Sequence, residues 1–231
     1  MHSDARRTAR RHWAEILDCR PESIFGSTTT VAEWTRNGVE ILCWEGGAVV
    51  GAPPALFEAL RENVDRIPFD IGREGAQTLV EPVAAVDDVL GPQFVGYCDE
   101  TAFDPVDREV QQIEPRRLDW LRDACPDGEW ERSGLSVDAD VPTFAVLRVD
   151  RPIAAVQYGV VDGVAKLAVA SHPAHRGEGH AKATVSAATA HALDRGYLVE
   201  YRTVERWTGS VALAEGLGFE RVARSLLVEL K

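Results

Sequence analysis

The residues best suited to chemistry lie between Val169 and Lys182, in the run Val169-Ala170-Ser171-His172-Pro173-Ala174-His175-Arg176-Gly177-Glu178-Gly179-His180-Ala181-Lys182. A short apolar run leads into a Pro-bounded turn, then two closely spaced glycines, then an Ala-rich stretch that reaches Arg195 before Gly196. This order predicts a strand, a loop and a long helix with Gly196 as its C-terminal stop. Arg176, Gly177 and Gly179 then fall where the first N–H groups of the helix point outward without intrahelical partners. Such an end carries roughly +0.5 of an elementary charge. Glycines there remove the Cβ atoms that would keep an anion off the backbone. The arrangement suits a phosphate or pyrophosphate.

Three glycine patterns bind phosphate at such a turn. A G-x-x-x-x-G-K-[ST] loop is excluded, because no Lys-Ser or Lys-Thr stands at the required offset. A G-x-G-x-x-G/A fingerprint fails at Lys182, although Glu200 follows about 20 residues on. The run Arg176-Gly177-Glu178-Gly179-His180-Ala181 fits R-x-x-G-x-G/A. A second block, Ser210-Val211-Ala212-Leu213-Ala214-Glu215-Gly216-Leu217-Gly218-Phe219, reads as a helix closed by a Gly-Phe turn. Together these blocks resemble the acyl-CoA loop and the later helix of the GNAT superfamily of N-acyltransferases, over about Asp104 to Lys231.

The resemblance implies a particular fold and cofactor. The fold is α/β: a mixed, mostly antiparallel twisted sheet with a central pair of parallel strands that splay apart, and flanking helices. The co-substrate is acetyl-CoA. The amides of Gly177, Glu178, Gly179, His180, Ala181 and Lys182 would hold its pyrophosphate, with Arg176 and Lys182 adding positive charge and Ser210 contributing from the second block. Val169 and Ser171 would pair with the pantetheine, one of their N–H groups polarising the thioester carbonyl. The reaction implied is direct attack by a primary amine of a small or amino-acid-like acceptor. Glu205 is the favoured general base, ahead of Glu200 and His172, and Tyr201 is the candidate acid. Two departures stand out: Trp207 replaces a frequent Asn, and Ala214 replaces the Tyr that commonly reprotonates the thiolate. The second departure motivates an alternative, a non-catalytic acyl-CoA-binding regulatory module. A nucleotide phosphotransferase lacks its Lys and its Mg²⁺ ligands.

These residues need a scaffold, and the C-terminal half supplies a readable one. Strands are expected at 109–113, 144–149, 153–160, 164–171, 198–204 and 221–230, with a hairpin turn at Asp150-Arg151-Pro152. Helices are expected over 115–124, from the glycine loop to Arg195, and over 209–215. The strands at 164–171 and 198–204 flank a long helix and so should be parallel. Ala181, Val185, Ala188 and Ala192 form the stripe that should meet the sheet, and His191 should face solvent. The N-terminal half suggests a hairpin over 39–51, a helix over 53–64 and a strand at 93–98. The division is expected at 1–103 and 104–231, the first segment being a degenerate acyltransferase-like half or a cap over the acceptor.

Composition narrows the class. The 231 residues carry a net charge of −12, and 45% are hydrophobic. A core is available, and an acidic surface argues against nucleic acid as a partner. It equally suits high-salt adaptation or steering of cationic substrates. No apolar run approaches a membrane span, and the basic N-terminus lacks an apolar h-region, so a soluble cytoplasmic protein is expected. Cys19, Cys43, Cys98 and Cys125 lack C-x-x-C spacing and read as buried thiols. His172, His175 and His180 lack metal-site spacing, so no metal is expected. A homodimer through an exposed edge of the last strand is a further expectation.

Overall fold

A computed structural model describes residues 1–64 and 67–231. Among these residues ten strands form a mixed sheet in the order β1-β3-β2-β10-β4-β9-β8-β7-β6-β5, numbered along the chain. The chain divides into two compact units, neither of them one contiguous segment. They differ from the expected 1–103 and 104–231 because strand pairing, not chain order, decides membership.

One unit comprises Ser3–Gly96, Arg202–Val211 and Arg221–Lys231. It opens with helix α1 (Ser3–Leu17), whose buried Ala9, Trp13 and Leu17 recur at helical spacing. The hairpin expected over 39–51 is β2 (Val39–Trp44) and β3 (Gly47–Ala52), antiparallel and buried along both strands. Helix α2 (Pro54–Asn63) follows as expected. Strand β1 (Thr29–Glu33), parallel to β3, and helix α3 (Arg73–Val80) carry weak local signals. The Thr pair in β1 and Gly75 in α3 blur both periodicities, and burial of Ala76 and Val80 fixes the helix instead. Strand β4 (Val86–Cys98) starts seven residues before the expected Gln93.

The last strand, β10 (Glu220–Leu230), pairs antiparallel with β2 from Arg224–Cys43 to Val228–Val39. Lying between β2 and β4 in the sheet, it has no free edge, so the ground for a dimer through it is removed. Val39, Ile41, Val50, Leu226 and Val228 are fully buried in a core that also takes in Ala76 and Val80.

The other unit comprises Met1–His2, Tyr97–Tyr201 and Ala212–Glu220. After a two-residue β5 (Gln111–Gln112) come a 3₁₀ turn (Pro115–Leu118), α4 (Asp119–Ala124) and α5 (Glu129–Ser133). Strands β6 (Thr143–Arg148), β7 (Arg151–Val161) and β8 (Val164–Ser171) form an antiparallel meander. The β6–β7 turn sits at Val149-Asp150, both with positive φ, and Arg151 and Pro152 already belong to β7. That corrects the expected turn: Pro152 pairs with Leu147 at the register shift between Val146 and Leu147, and at such a bulge a missing N–H is tolerated. Helix α6 (His180–Leu193), β9 (Leu198–Val204) and α7 (Thr208–Glu215) complete the order.

Helix α6 buries Ala183, Thr184, Val185, Ser186, Ala188, Thr189, Ala192 and Leu193, a wider face than the expected stripe, while Ala181 stays half-buried. Its small side chains allow that breadth. His191 is half-buried rather than fully exposed: Nδ1 lies 2.8 Å from the Tyr158 hydroxyl, and the ring lies against Phe144 at 5.0 Å. All four cysteines are free thiols; Cys43 and Cys98 are buried, but Cys19 and Cys125 only half so. No helix among the described residues is long and apolar enough to cross a membrane.

Candidate functional site

Strand β8 meets β9 in parallel through three pairs, Val164–Leu198, Ala165–Val199 and Lys166–Glu200. Its other edge stays paired with β7 as far as Ala154–Ser171. From Leu167 onward the described residues show β8 paired on one side only, so Val169 and Ser171 lie on the stretch that has parted from β9. An edge of this kind offers backbone N–H and C=O groups to an extended ligand.

The chain then turns. His172 N–H bonds Ile153 O at 2.8 Å, and the His172 Nδ1 accepts from Ala174 N–H at 3.2 Å, capping a 3₁₀ turn over Pro173–His175. Burial first, then the charges of His175 and Arg176, push the His172 pKa down. The ring is therefore neutral at neutral pH, and its accepting nitrogen is occupied by the turn.

Gly177 and Gly179 take φ of +80° and +81°, backbone that a residue with a Cβ adopts at a cost. Nothing lies within 4 Å of where a Gly177 Cβ would project. Gly179 caps α6, and its carbonyl accepts the first helical bond from Ala183 at 3.1 Å. The helix start has no side-chain cap and no acidic residue in its first turn. The leading N–H groups, at His180, Ala181 and Lys182, have no intrahelical acceptor, and the loop is open on the Gly177 side.

The charged side chains around this loop divide by role. The Arg176 guanidinium bonds the Glu129 carboxylate and the Ser171 carbonyl, at 3.3 Å for Nη2, and so ties the loop to α5 and the strand end. Glu178 lies between His180 Nε2 at 3.1 Å and His175 Nδ1 at 3.7 Å, and the His180 bond leads the causes that lower its pKa. Arg108 was not anticipated. Its Nη1 donates to Glu178 O at 2.7 Å and stands 3.1 Å from where a Gly179 Cβ would be. It brings a guanidinium to the mouth of the loop from a segment 70 residues upstream. The local signal around it, an acidic Pro-containing stretch, reads only as a boundary. The Lys182 Nζ lies 3.0 Å from a would-be Gly216 Cβ, next to the C-terminal end of α7.

The titratable candidates separate likewise. Glu200, at the last β8–β9 pair, is buried, and the Tyr97 hydroxyl donates to its Oε2 at 2.5 Å. Tyr97 is a second residue that local sequence did not single out. Tyr201 is buried with its ring 5.6 Å from Phe219. Ala214 is fully buried.

Glu205 and Ser210 belong to the other unit. Glu205 is gripped by Arg221 and by a two-bonded Arg224, at 2.9 and 2.6 Å. Burial raises its pKa, but the bonds and charge of Arg224 and Arg221 outweigh that and hold the carboxyl below its ordinary range. Ser210 N–H donates to the carbonyl of Trp207, which precedes α7 and is 43% exposed. Among the described residues no cluster of His, Cys, Asp and Glu is placed to hold a metal.

Residues 107–219 match the family model described as the Acetyltransferase (GNAT) family. No curated protein matches the chain. Among solved structures, an acetyltransferase from the GNAT family of Colwellia psychrerythraea aligns with a TM-score of 0.51 at 17% identity, over 68% of this chain and 61% of that one. A GCN5-related N-acetyltransferase from Kribbella flavida aligns with a TM-score of 0.50 at 16% identity, over 67% and 63%. The chain thus spans less than two thirds of either structure's length, and at these identities the likeness is one of fold.

Proposed function

We propose that this protein, whose residues 107–219 match the GNAT acetyltransferase family model, transfers an acetyl group from acetyl-CoA to a primary amine of a small or amino-acid-like acceptor. The observation that carries this reading is the uncapped start of α6, reached through Gly177 and Gly179 and overlooked by Arg108. An uncapped helix start beside one guanidinium fits a pyrophosphate. The parted edge of β8 fits the amide-bearing arm that follows it, with Val169 and Ser171 as the pairing residues.

Acetyl-CoA supplies an activated acyl thioester when bound. The protein's part is positioning and proton handling. A backbone N–H of the parted β8 edge, aimed at the thioester oxygen, contributes several kcal/mol as charge develops there. An alkylammonium of pKa about 10.4 is neutral in roughly one part in 10³ to 10⁴ at neutral pH, a deficit of about 4–5 kcal/mol. A base recovers part of that. Glu205 would have to leave two arginines to act, and the accepting nitrogen of His172 is used by its turn. Glu200, a carboxylate at the point where the strands part, is the acceptor in this reading, with Tyr97 holding it in place. Successive side chains of a strand point to opposite faces, so Tyr201 serves the other side, as donor to the departing thiolate.

Ala214 favours a second reading, binding of acyl-CoA without turnover, because no hydroxyl stands at that position. Calorimetric titration with acetyl-CoA, CoA and ATP at low and high salt, followed by an amine panel read through released thiol, separates the two. Acetyl-CoA binding with turnover of any amine supports the transferase. Binding with no turnover across the panel supports the second reading, and no binding in either salt overturns both. Glu200→Gln should then lower kcat by about 10²-fold or more, with Glu205→Gln close to the parent. The reverse ranking would remove Glu200 as base.

A further inference from the structure

Three register partners lie side by side in the unit that holds the glycine loop: Gly159 on β7, Lys166 on β8 and Glu200 on β9. Positions paired in this way project from one face of the sheet. Ala168 and Ala170, two and four residues further along β8, share that face and pack with Leu118, Leu121 and Leu135. It is therefore the face covered by α4 and α5. Tyr158 points the other way, its hydroxyl meeting His191 of α6.

The cover stops short of Lys166. Helix α5 ends at Gly134, whose φ of +77° suits a glycine C-cap, and a Cβ there would touch Ala168 Cβ at 3.4 Å. The chain is then held over β7 and β6. Ser136 N–H donates to Gln157 Oε1 at 2.8 Å, and Gln157 Nε2 donates to Ser136 O at 2.7 Å and to Thr143 Oγ1 at 3.1 Å. Opposite Lys166, Gly159 carries no side chain, and no atom lies within 4 Å of where one would project. Lys166 is accordingly half-buried beside open space.

Lys166 is one of three lysines in a chain with 37 acidic residues. Among the described residues its ammonium forms no ion pair. The carboxylate beside it in register, Glu200, is engaged on its far side: the hydroxyl of Tyr97, on β4, donates to Oε2 at 2.5 Å, and β4 flanks β9 opposite β8. Directly paired positions stand close enough for their side chains to meet, yet these two charges are held apart where β8 and β9 part. A partly desolvated ammonium gains from an anion, and at this point an incoming molecule can supply one. We propose that Lys166 selects the acceptor: a small primary amine that carries an anionic group a few bonds away, as α- and β-amino acids do, its anion against the Lys166 ammonium and its amine toward Glu200 and the parted edge of β8. The proposal rests on the transferase reading for the fate of the amine, while the anion contact rests on Lys166.

Thermal unfolding of the full chain, with and without CoA, reads the anion contact directly. The probes are each standard L-amino acid and β-alanine, each beside its carboxamide, and O-phosphoethanolamine beside ethanolamine. At least one anionic amine should raise Tm by several degrees, and its neutral counterpart should not. Whether carboxylates or the phosphate respond identifies the anion. Lys166→Met, or Lys166→Gln should the first fail to fold, should raise the half-saturating concentration about tenfold or more. Lys166→Arg, which keeps the charge, should stay within a few fold of the parent. Thiol release from acetyl-CoA with the same amine should then show the loss of Lys166 in KM more than in kcat. Binding that depends on Lys166 without thiol release would sink the transferase reading and leave the anion site standing. No shift with any anionic amine, an equal shift from the neutral counterparts, or unchanged half-saturation in the folded neutral variant would overturn the proposal.

Discussion

Gly179→Val is the sharpest perturbation of the anion loop. Gly179 stands at φ +81° as the cap of α6, with Arg108 Nη1 at 3.1 Å and Cζ at 3.4 Å from its would-be Cβ. Left-handed backbone costs a residue with a Cβ roughly 1–2 kcal/mol, and a β-branched side chain is worse placed still. Valine must either swing the first turn of α6 or displace Arg108 from Glu178 O. Either response turns donors away from a shared anion. Losing two charge-assisted bonds at about 1.5–3 kcal/mol each removes about 3–6 kcal/mol, or roughly 10²- to 10⁴-fold in acetyl-CoA affinity. Gly177→Ala separates the two effects. Its φ is +80° and no protein atom lies within 4 Å of the added Cβ, so without ligand it bears the backbone strain alone and stability should fall by about 1–2 kcal/mol. The Cβ points to the open side of the loop, so acetyl-CoA affinity should fall as well. Isothermal titration with acetyl-CoA, beside urea unfolding of each variant, reads both quantities. A folded Gly179→Val protein that still binds acetyl-CoA at micromolar concentration would refute the loop assignment.

Other outcomes follow from the same geometry. Arg108→Ala should weaken acetyl-CoA binding by about 1–2 kcal/mol and flatten its salt dependence, measured by titration at two ionic strengths; an unchanged isotherm would remove Arg108 from the site. Gly218, at φ +89°, closes α7 against the segment at Ala102, and any Cβ there would overlap the Ala102 carbonyl oxygen. Gly218→Ala should therefore cost about 3 kcal/mol or more in urea unfolding, since the clash is with backbone. Glu205 is held below its ordinary pKa of 4.5 by Arg224 and Arg221 against the opposing effect of burial. A carboxyl depressed in the folded state adds stability that is present above its unfolded pKa and lost as pH falls through the folded one. Parent and Glu205→Gln should thus differ in urea midpoint at neutral pH and converge in acid. A difference that persists unchanged in acid would contradict the ion-pair account.

The loop and its two strands were legible because their signals are local. β8 and β9 run over the residues that apolar patterning indicates, Val164–Ser171 and Leu198–Val204. Helix α6 begins where a glycine at positive φ must stand, and the Gly218-Phe219 turn marks the end of α7 for the same reason. Each depends on neighbours within a few residues, so chain order carries the information. The parallel pairing of β8 and β9 was also legible, because a strand–helix–strand run leaves few other solutions.

What the fold alone decided is everything that depends on distant partners. Arg108 reaches the loop across 70 residues, and Tyr97 reaches Glu200 across 103. No periodicity records such meetings. β10 follows the Gly-Phe turn in sequence, yet hydrogen bonds to β2 draw it into the other unit and leave it without an open edge. Glu205 reads as a base from its place just past β9, but Arg221 and Arg224 come from β10 to hold it charged. Glu40 looks like a polar interruption of an apolar strand until Arg202, from the far end of the chain, stands opposite it. The sequence by itself determined where the backbone can turn and which segments must be buried, because sterics and hydrophobic period act over short range. Only the tertiary structure decided which charges meet, and those meetings set each carboxylate's chemistry.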